Sequence, residues 1–122
     1  MSDLKEVEIK TIRIACQALG RKWTFQVLEE LCRQPLRFNE LHQGLPWISG
    51  RSLGRVLHHL ENAGVIDRKV SDNRPPNVIY SVPTGDVLLR EIIAMLARWG
   101  SQRRMPVATP PRQVRPKITG DN

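Results

Sequence analysis

Residues 36 to 82 read LRFNELHQGLPWISGRSLGRVLHHLENAGVIDRKVSDNRPPNVIYSV, and this stretch decides the fold. A short helical pattern over 38–43 is followed by glycine and proline, which interrupt it before a second helical pattern begins. Ser49 is a favourable N-cap for this second pattern, which continues to Ala63 and stops at Gly64. We therefore predict two short helices joined by a tight turn.

Two segments of alternating polarity come directly after these helices. Residues 65–70 alternate apolar and charged side chains, and residues 77–82 place their apolar side chains on one side. The segment between them, about 71–77, is rich in turn formers and contains Arg74. This pattern predicts a small antiparallel β-hairpin with a basic tip.

Helical spacing also appears on both sides of this stretch. Apolar periodicity predicts helices over 9–19, 24–33 and about 86–99. The element order predicts a mainly α fold with a small antiparallel β-hairpin, in which the third and fourth helices and the hairpin form a winged helix-turn-helix. A chain of 122 residues supports one domain, which we expect to span 1–100.

The charge is concentrated in the last residues of the chain. The net charge is +7, of which the segment 101–122 carries +4. This segment interleaves prolines with Arg112, Arg115 and Lys117, so we expect a basic, disordered tail. A basic balance favours a polyanionic partner. The first residues do not form a secretory signal and no apolar run could cross a membrane, so we expect a cytoplasmic protein that does not bind membranes.

The predicted fourth helix has an apolar side, which includes Leu53 and Leu57, and an opposite polar side. In a winged helix-turn-helix, this helix (about 49–63) enters the DNA major groove and the wing (about 71–77) lies on the backbone or in the minor groove. The residues that we expect to contact DNA are Arg37, Asn39, Ser49, Arg51, Ser52, Arg55, His58, His59, Asn62, Asn73 and Arg74. A solvated helix face would show a similar pattern. The alternative is therefore a winged-helix protein-protein interaction module without specific DNA binding.

The last predicted helix is apolar over more than half of its circumference, and such a helix needs two partners. In a chain this small, we expect the second partner to be another copy of the chain, which would make a twofold homodimer that dimerises through its terminal helices. The residues expected at that interface are Ile14, Leu89, Ile93, Leu96 and Trp99.

The sequence offers no pattern for catalysis or metal binding. Cys16 and Cys32 lie sixteen residues apart without a Cys-x-x-Cys pair, and with three scattered histidines they do not make a zinc site. Both cysteines fall in apolar helical patterns and are expected to be buried, with a reactive Cys16 as the alternative. We find no paired carboxylates, nucleophile–base pair or phosphate-binding glycine loop, so we expect neither enzymatic activity nor a cofactor.

Six motifs in register carry a family resemblance. Gly20-Arg21-Lys22-Trp23-Thr24 and Arg37-Phe38-Asn39-Glu40-Leu41 resemble two hallmarks of HxlR-type winged-helix transcriptional regulators. The other motifs follow in order: Ile48-Ser49, Ala63-Gly64-Val65-Ile66, Pro75-Pro76-Asn77-Val78-Ile79-Tyr80-Ser81 and Leu96-Ala97-Arg98-Trp99-Gly100. The resemblance covers about residues 10–100.

The resemblance implies a bacterial or archaeal homodimeric regulator that binds double-stranded DNA in a sequence-specific manner. Members of this family often respond to small electrophiles or oxidants, and many carry a cysteine some thirteen residues before the tryptophan of the Gly-x-Lys-Trp motif. In this chain Lys10 stands at that position, and Cys16 is the nearest thiol. A small-molecule effector is therefore possible in principle, but the sequence does not identify it.

Overall fold

The computed structural model describes residues 2–103. In chain order, the elements of this part of the chain are α1 (Ser2–Leu19), α2 (Thr24–Arg33), β1 (Leu36–Arg37), α3 (Phe38–Gly44), α4 (Gly50–Asn62), β2 (Asp67–Val70), β3 (Val78–Ser81) and α5 (Val87–Ser101). The element order agrees with the sequence prediction except for β1. From residue 104 onward, the predicted tail lies outside the described residues.

A single core holds these elements together. Its fully buried side chains come mainly from α2 and α4, whose apolar residues recur at spacings of three and four and therefore face the same way. The largest of them are Leu28, Leu31, Leu41, Ile48, Leu53, Leu57 and Leu60. Because the whole apolar stripe of α4 is used for this core, its polar stripe must face outward.

The predicted hairpin belongs to a three-stranded antiparallel sheet. The strand order is β1-β3-β2, and Tyr80 on the central strand lies opposite both Leu36 and Arg68. The strand β1 was not predicted because two residues are too few to show an alternating pattern. It ties the start of α3 to the hairpin, so the helix-turn-helix and the wing move as one unit.

The turn between α3 and α4 is fixed by a side chain. The Nε2 atom of His42 lies 2.8 Å from the carbonyl oxygen of Ile48, and the ring is partly buried. Gly64 ends α4 in the left-handed region at φ 75°, and the Val65 amide donates to the Leu60 carbonyl at 2.9 Å, as in a Schellman motif.

The helix α5 packs on α2 through two of the residues that were predicted for the dimer interface. Leu89 and Ile93, which we expected at the dimer interface, are only 5% and 7% exposed and belong to the core of the single chain. The residues left outside on α5 are Leu88, Ile92, Met95, Leu96 and Trp99. Both stripes of α5 are apolar, so periodicity alone could not decide which one faces inward.

The side chain of Arg90 fixes this orientation. It donates to the Cys32 carbonyl at the end of α2 (2.6 Å) and to the Val82 carbonyl just after β3 (2.9 Å). Arg90 follows Leu89 in α5, and both side chains contact the body of the protein. Among residues 2–103, no helix combines the length and the apolar character needed to cross a membrane.

Candidate nucleic-acid interface

The exposed face of α4 carries the four polar residues that the sequence singled out. Arg51, Arg55, His58 and Asn62 are all exposed and recur at helical spacing opposite the buried stripe. The Asn62 amide nitrogen lies 3.1 Å from Nε2 of His58, which links the last two of these side chains. The face therefore presents two guanidinium groups near the helix start and a hydrogen-bonded pair farther along.

The start of α4 is held by its predicted cap. The Ser49 hydroxyl accepts a hydrogen bond from the Ser52 amide at 3.0 Å. This capping bond fixes the first turn, from which Arg51 projects. The Ser49 hydroxyl is therefore used within the chain, which leaves its predicted DNA contact a secondary role.

One flank of α4 is fastened to α1. The Nε2 atom of His59 lies 2.8 Å from the Gln17 carbonyl oxygen, so this ring nitrogen is already occupied within the chain. Ser52 lies on the same flank and is half-buried. These contacts fix the end of α1, and the loop that follows it, beside the polar face of α4.

The wing tip is closed by Ser71. Its hydroxyl accepts hydrogen bonds from the amides of Asn77 (2.9 Å) and Asn73 (3.3 Å), and its own amide donates to the Asn77 carbonyl at 2.8 Å. This small network leaves the side chains of Asn73 and Arg74 exposed at the tip. The Arg74–Pro75 peptide bond is cis.

The start of α3 carries two of the residues that were predicted to contact DNA. Arg37 and Asn39 are exposed, but the Arg37 amide donates to the Glu40 carboxylate at 2.8 Å. The Glu40 carboxylate therefore already accepts a hydrogen bond from the backbone at the start of α3. The side chain of Arg37 can still reach a phosphate, but the backbone amide is not available to one.

The structure adds two basic residues that the sequence analysis did not select for DNA contact. Arg21 and Lys22 lie in the α1–α2 loop and, together with Trp23, Ser52 and Arg55, line a cleft of about 230 Å³. Their signal in the sequence was a basic pair just before a helix, which could not show that the loop reaches α4.

The electrostatics of this surface are one-sided. In the described part of the chain, the ion pairs are those of Arg33 with Glu29 and Glu30, at 3.5 and 3.6 Å. Among the side chains of residues 10–103, no carboxylate pairs in this way with the arginines on α4, on the wing tip or in the α1–α2 loop. Their charges are thus available to an outside anion.

The two cysteines differ in their surroundings. Cys16 is exposed, so the prediction that it is buried was wrong, whereas Cys32 is half-buried against the core. Burial raises the pKa of the Cys32 thiol, and the nearby Arg90 guanidinium only partly opposes this effect. Among the side chains that the structure describes, those of residues 10–103, no three of the metal-ligating types come together in a group that could hold a metal ion.

Comparison with known proteins identifies the architecture. The family model of the HxlR-like helix-turn-helix matches residues 18–108. The chain belongs to the HxlR family. HxlR proteins are helix-turn-helix transcriptional regulators, and the family assignment makes this protein a DNA-binding regulator with a winged-helix fold.

Individual HxlR relatives agree in sequence and in structure. An uncharacterized HTH-type transcriptional regulator of Methanothermobacter thermautotrophicus is 34% identical over 90 residues, which cover 74% of this chain and 69% of that protein. The oxidized form of the redox regulator HypR has a TM-score of 0.72 at 28% identity, covering 79% of this chain and 99% of HypR. The reduced form of YodB from Bacillus subtilis has a TM-score of 0.66 at 26% identity, covering 80% of this chain and 96% of YodB.

Proposed function

We propose that the protein binds operator DNA in a sequence-specific manner as a homodimer, with α4 in the major groove and the wing on the backbone or in the minor groove. One observation carries the proposal: the exposed face of α4 presents Arg51 and Arg55 without carboxylate partners, on the opposite side from its core stripe. A helix of 13 residues is about 20 Å long, which suits insertion into the groove of a B-form duplex.

The polar side chains of α4 and the wing suit different kinds of DNA contact. Arg51 and Arg55 lie in the first half of the helix, where base contacts concentrate, and a guanidinium fork matches the O6 and N7 acceptors of guanine. Asn62 is held by His58 near the end of the helix. At the wing tip, the exposed Arg74 suits a phosphate or a narrow minor groove.

The dimer would use the outer face of α5 together with α1. Leu88, Met95 and Trp99 are 73%, 59% and 53% exposed on one stripe of α5, and Ile14 on α1 is 64% exposed. Exposed apolar stripes of this kind are typical of an interface. Ile14, Leu96 and Trp99 thus stay in the proposed interface, while Leu89 and Ile93 support it from the core.

The first experiment separates base reading from general attraction to DNA. Duplexes selected from a random pool, and the unselected pool itself, would be titrated with wild-type protein, Arg55→Ala and Arg33→Ala. We expect Arg55→Ala to weaken binding to selected duplexes by about 1–3 kcal/mol and to random duplexes much less. Arg33 is a matched control because its charge is already balanced by Glu29 and Glu30.

Two results would contradict the proposal. Equal losses of Arg55→Ala on selected and random duplexes would show that this side chain touches only phosphate. If no duplex binds at low salt, or if affinity is insensitive between about 50 and 200 mM salt, the winged-helix surface serves a protein partner instead.

A second experiment tests the dimer. Sedimentation of the wild-type protein should show a dimer, and Leu88→Glu should shift it to the monomer because it places a charge within the apolar stripe. Val70→Glu is the control, since Val70 is also an exposed apolar residue, 51% exposed, but lies on β2. A wild-type protein that stays monomeric at every concentration would exclude the homodimer.

A further inference from the structure

We propose that Arg21 and Lys22 of the α1–α2 loop clamp one phosphate of the DNA backbone beside α4, as an anchor separate from the α4 face and the wing. The inference rests on the proposed function, because it adds a backbone contact to the same DNA complex. The ligand is a phosphodiester group. We name the site that holds it, lined by Arg21, Lys22, Trp23, Ser52, Arg55 and Val56, the loop cleft.

The loop cleft lies beside the polar face of α4. The loop cleft has walls from two elements, the α1–α2 loop and the flank of α4 that starts at Ser52. The hydrogen bond from His59 to the Gln17 carbonyl, at 2.8 Å, fixes the end of α1 against this flank. Arg55 belongs both to the reading face and to the cleft, so a duplex that meets Arg55 also passes the loop.

The lining of the loop cleft is positively charged. Three cationic side chains line the loop cleft, and no acidic side chain of the described residues lines it. Three like charges around a concavity repel one another and favour an anion between them. Ser52 adds a hydroxyl that can donate to a phosphate oxygen, and the guanidinium of Arg21 offers a fork that fits two phosphate oxygens.

The α1–α2 loop is preorganised by its backbone conformation and by a contact between two of its side chains. Trp23 has φ 74°, a left-handed conformation that costs a bulky residue free energy, and such conformations concentrate at functional sites. The turn is closed by a hydrogen bond from the Thr24 amide to the Arg21 carbonyl at 3.2 Å. The ammonium of Lys22 lies 5.0 Å from the centre of the Trp23 ring, which restrains the lysine while leaving its three N–H donors available.

The test measures how binding to DNA depends on salt. Wild-type protein, the double variant Arg21→Gln/Lys22→Gln and the control Arg33→Gln would be titrated with a random-sequence duplex and with a selected duplex at several salt concentrations. Loss of one phosphate contact lowers the slope of log K against log salt by about 0.9 per protomer. At about 100 mM salt this corresponds to an affinity roughly eightfold lower for each clamp, or roughly sixtyfold lower for a dimer with two clamps, on both duplexes alike.

One further variant and a chemically modified duplex distinguish the clamp from a folding defect. Arg21→Lys/Lys22→Arg keeps both charges and should restore most of the slope, which a mere folding defect would not allow. In a selected duplex, replacing single phosphates with neutral methylphosphonates should reveal a position that weakens wild-type binding but leaves the double glutamine variant unaffected.

The outcomes separate this proposal from the proposed function. An unchanged slope in the double glutamine variant, or a loss no larger than that of Arg33→Gln, would overturn the clamp while leaving Arg55 as a base reader. Failure of the wild-type protein to bind any duplex would overturn both. A methylphosphonate effect that is the same in wild type and variant would place the contacted phosphate elsewhere and would also overturn the clamp.

Discussion

Replacement of Arg90 by methionine tests how α5 is attached to the rest of the protein. Arg90 makes two charged hydrogen bonds, to the Cys32 carbonyl at 2.6 Å and to the Val82 carbonyl at 2.9 Å. A hydrogen bond to a charged group contributes about 1.5–3 kcal/mol to the free energy of unfolding. Methionine preserves much of the aliphatic length but removes every donor.

The expected loss lies at or below the lower end of the range of about 3–6 kcal/mol that two such bonds would give. The Arg90 side chain is half-buried and lines a cleft of about 530 Å³, through which water can reach the two carbonyl groups once the guanidinium is gone. We therefore expect Arg90→Met to lower the free energy of unfolding by about 2–3 kcal/mol. Urea denaturation at one fixed protein concentration measures this quantity.

Arg98 on the same helix provides the control for this prediction. It is exposed, and its guanidinium contacts only the Met95 sulfur, at 3.6 Å, among the side chains of the described residues. Arg98→Met should change the free energy of unfolding by at most about 0.5 kcal/mol. If the two variants are equally stable, the Arg90 bonds do not hold α5 and the reasoning is refuted.

Three further predictions concern the DNA-binding half and the thiols. Ser49→Ala should cost about 1 kcal/mol in urea denaturation because the Ser52 amide loses its cap; no loss would mean that water replaces it fully. Gly54→Ala should stabilise the protein by about 0.5–1 kcal/mol, since an added Cβ meets nothing within 4 Å; a simultaneous loss of DNA affinity would show that the backbone of a duplex approaches closely there. Alkylation at neutral pH should label exposed Cys16 faster than Cys32, because burial hinders access to the Cys32 thiol and raises its pKa; equal rates would contradict the burial of Cys32.

The raised pKa of Cys32 also sets the sign of a pH effect on stability. Because the folded state holds the thiol proton more tightly than the unfolded state does, the contribution to stability is fully present below the unfolded pKa and is lost as the pH rises through the folded pKa. This contribution should therefore disappear only in alkaline solution. Cys32→Ser denatured over the same pH range should lack the thiol component of the decline.

The features that the sequence predicted best are those set by neighbouring residues. The helix α4 was predicted because its apolar stripe, its N-cap Ser49 and Gly64, which ends it, all lie within sixteen residues of one another. The structure confirms the cap, and the helix spans Gly50–Asn62. The hairpin was predicted for the same reason, since alternation and turn formers are local signals.

The features that the sequence missed depend on packing between distant elements. The two stripes of α5 are both apolar, so the choice of Leu89 over Leu88 for the core is made by the contact with α2 and by the bonds of Arg90. Cys16 was expected to be buried, yet it is exposed because residues 10–17 of α1 are exposed on all sides of the helix. The loop cleft was not predicted because it forms only where α1 meets α4.

Selection of bound duplexes from a random pool by the wild-type protein is the most direct test of the central claim, that the α4 face reads DNA in a twofold pair. The account predicts a palindromic motif whose half-sites lie about one helical turn apart. Each half-site should contain a guanine whose preference is lost in Arg55→Ala. A pool that shows no enriched sequence, or a single unrepeated site, would contradict the account.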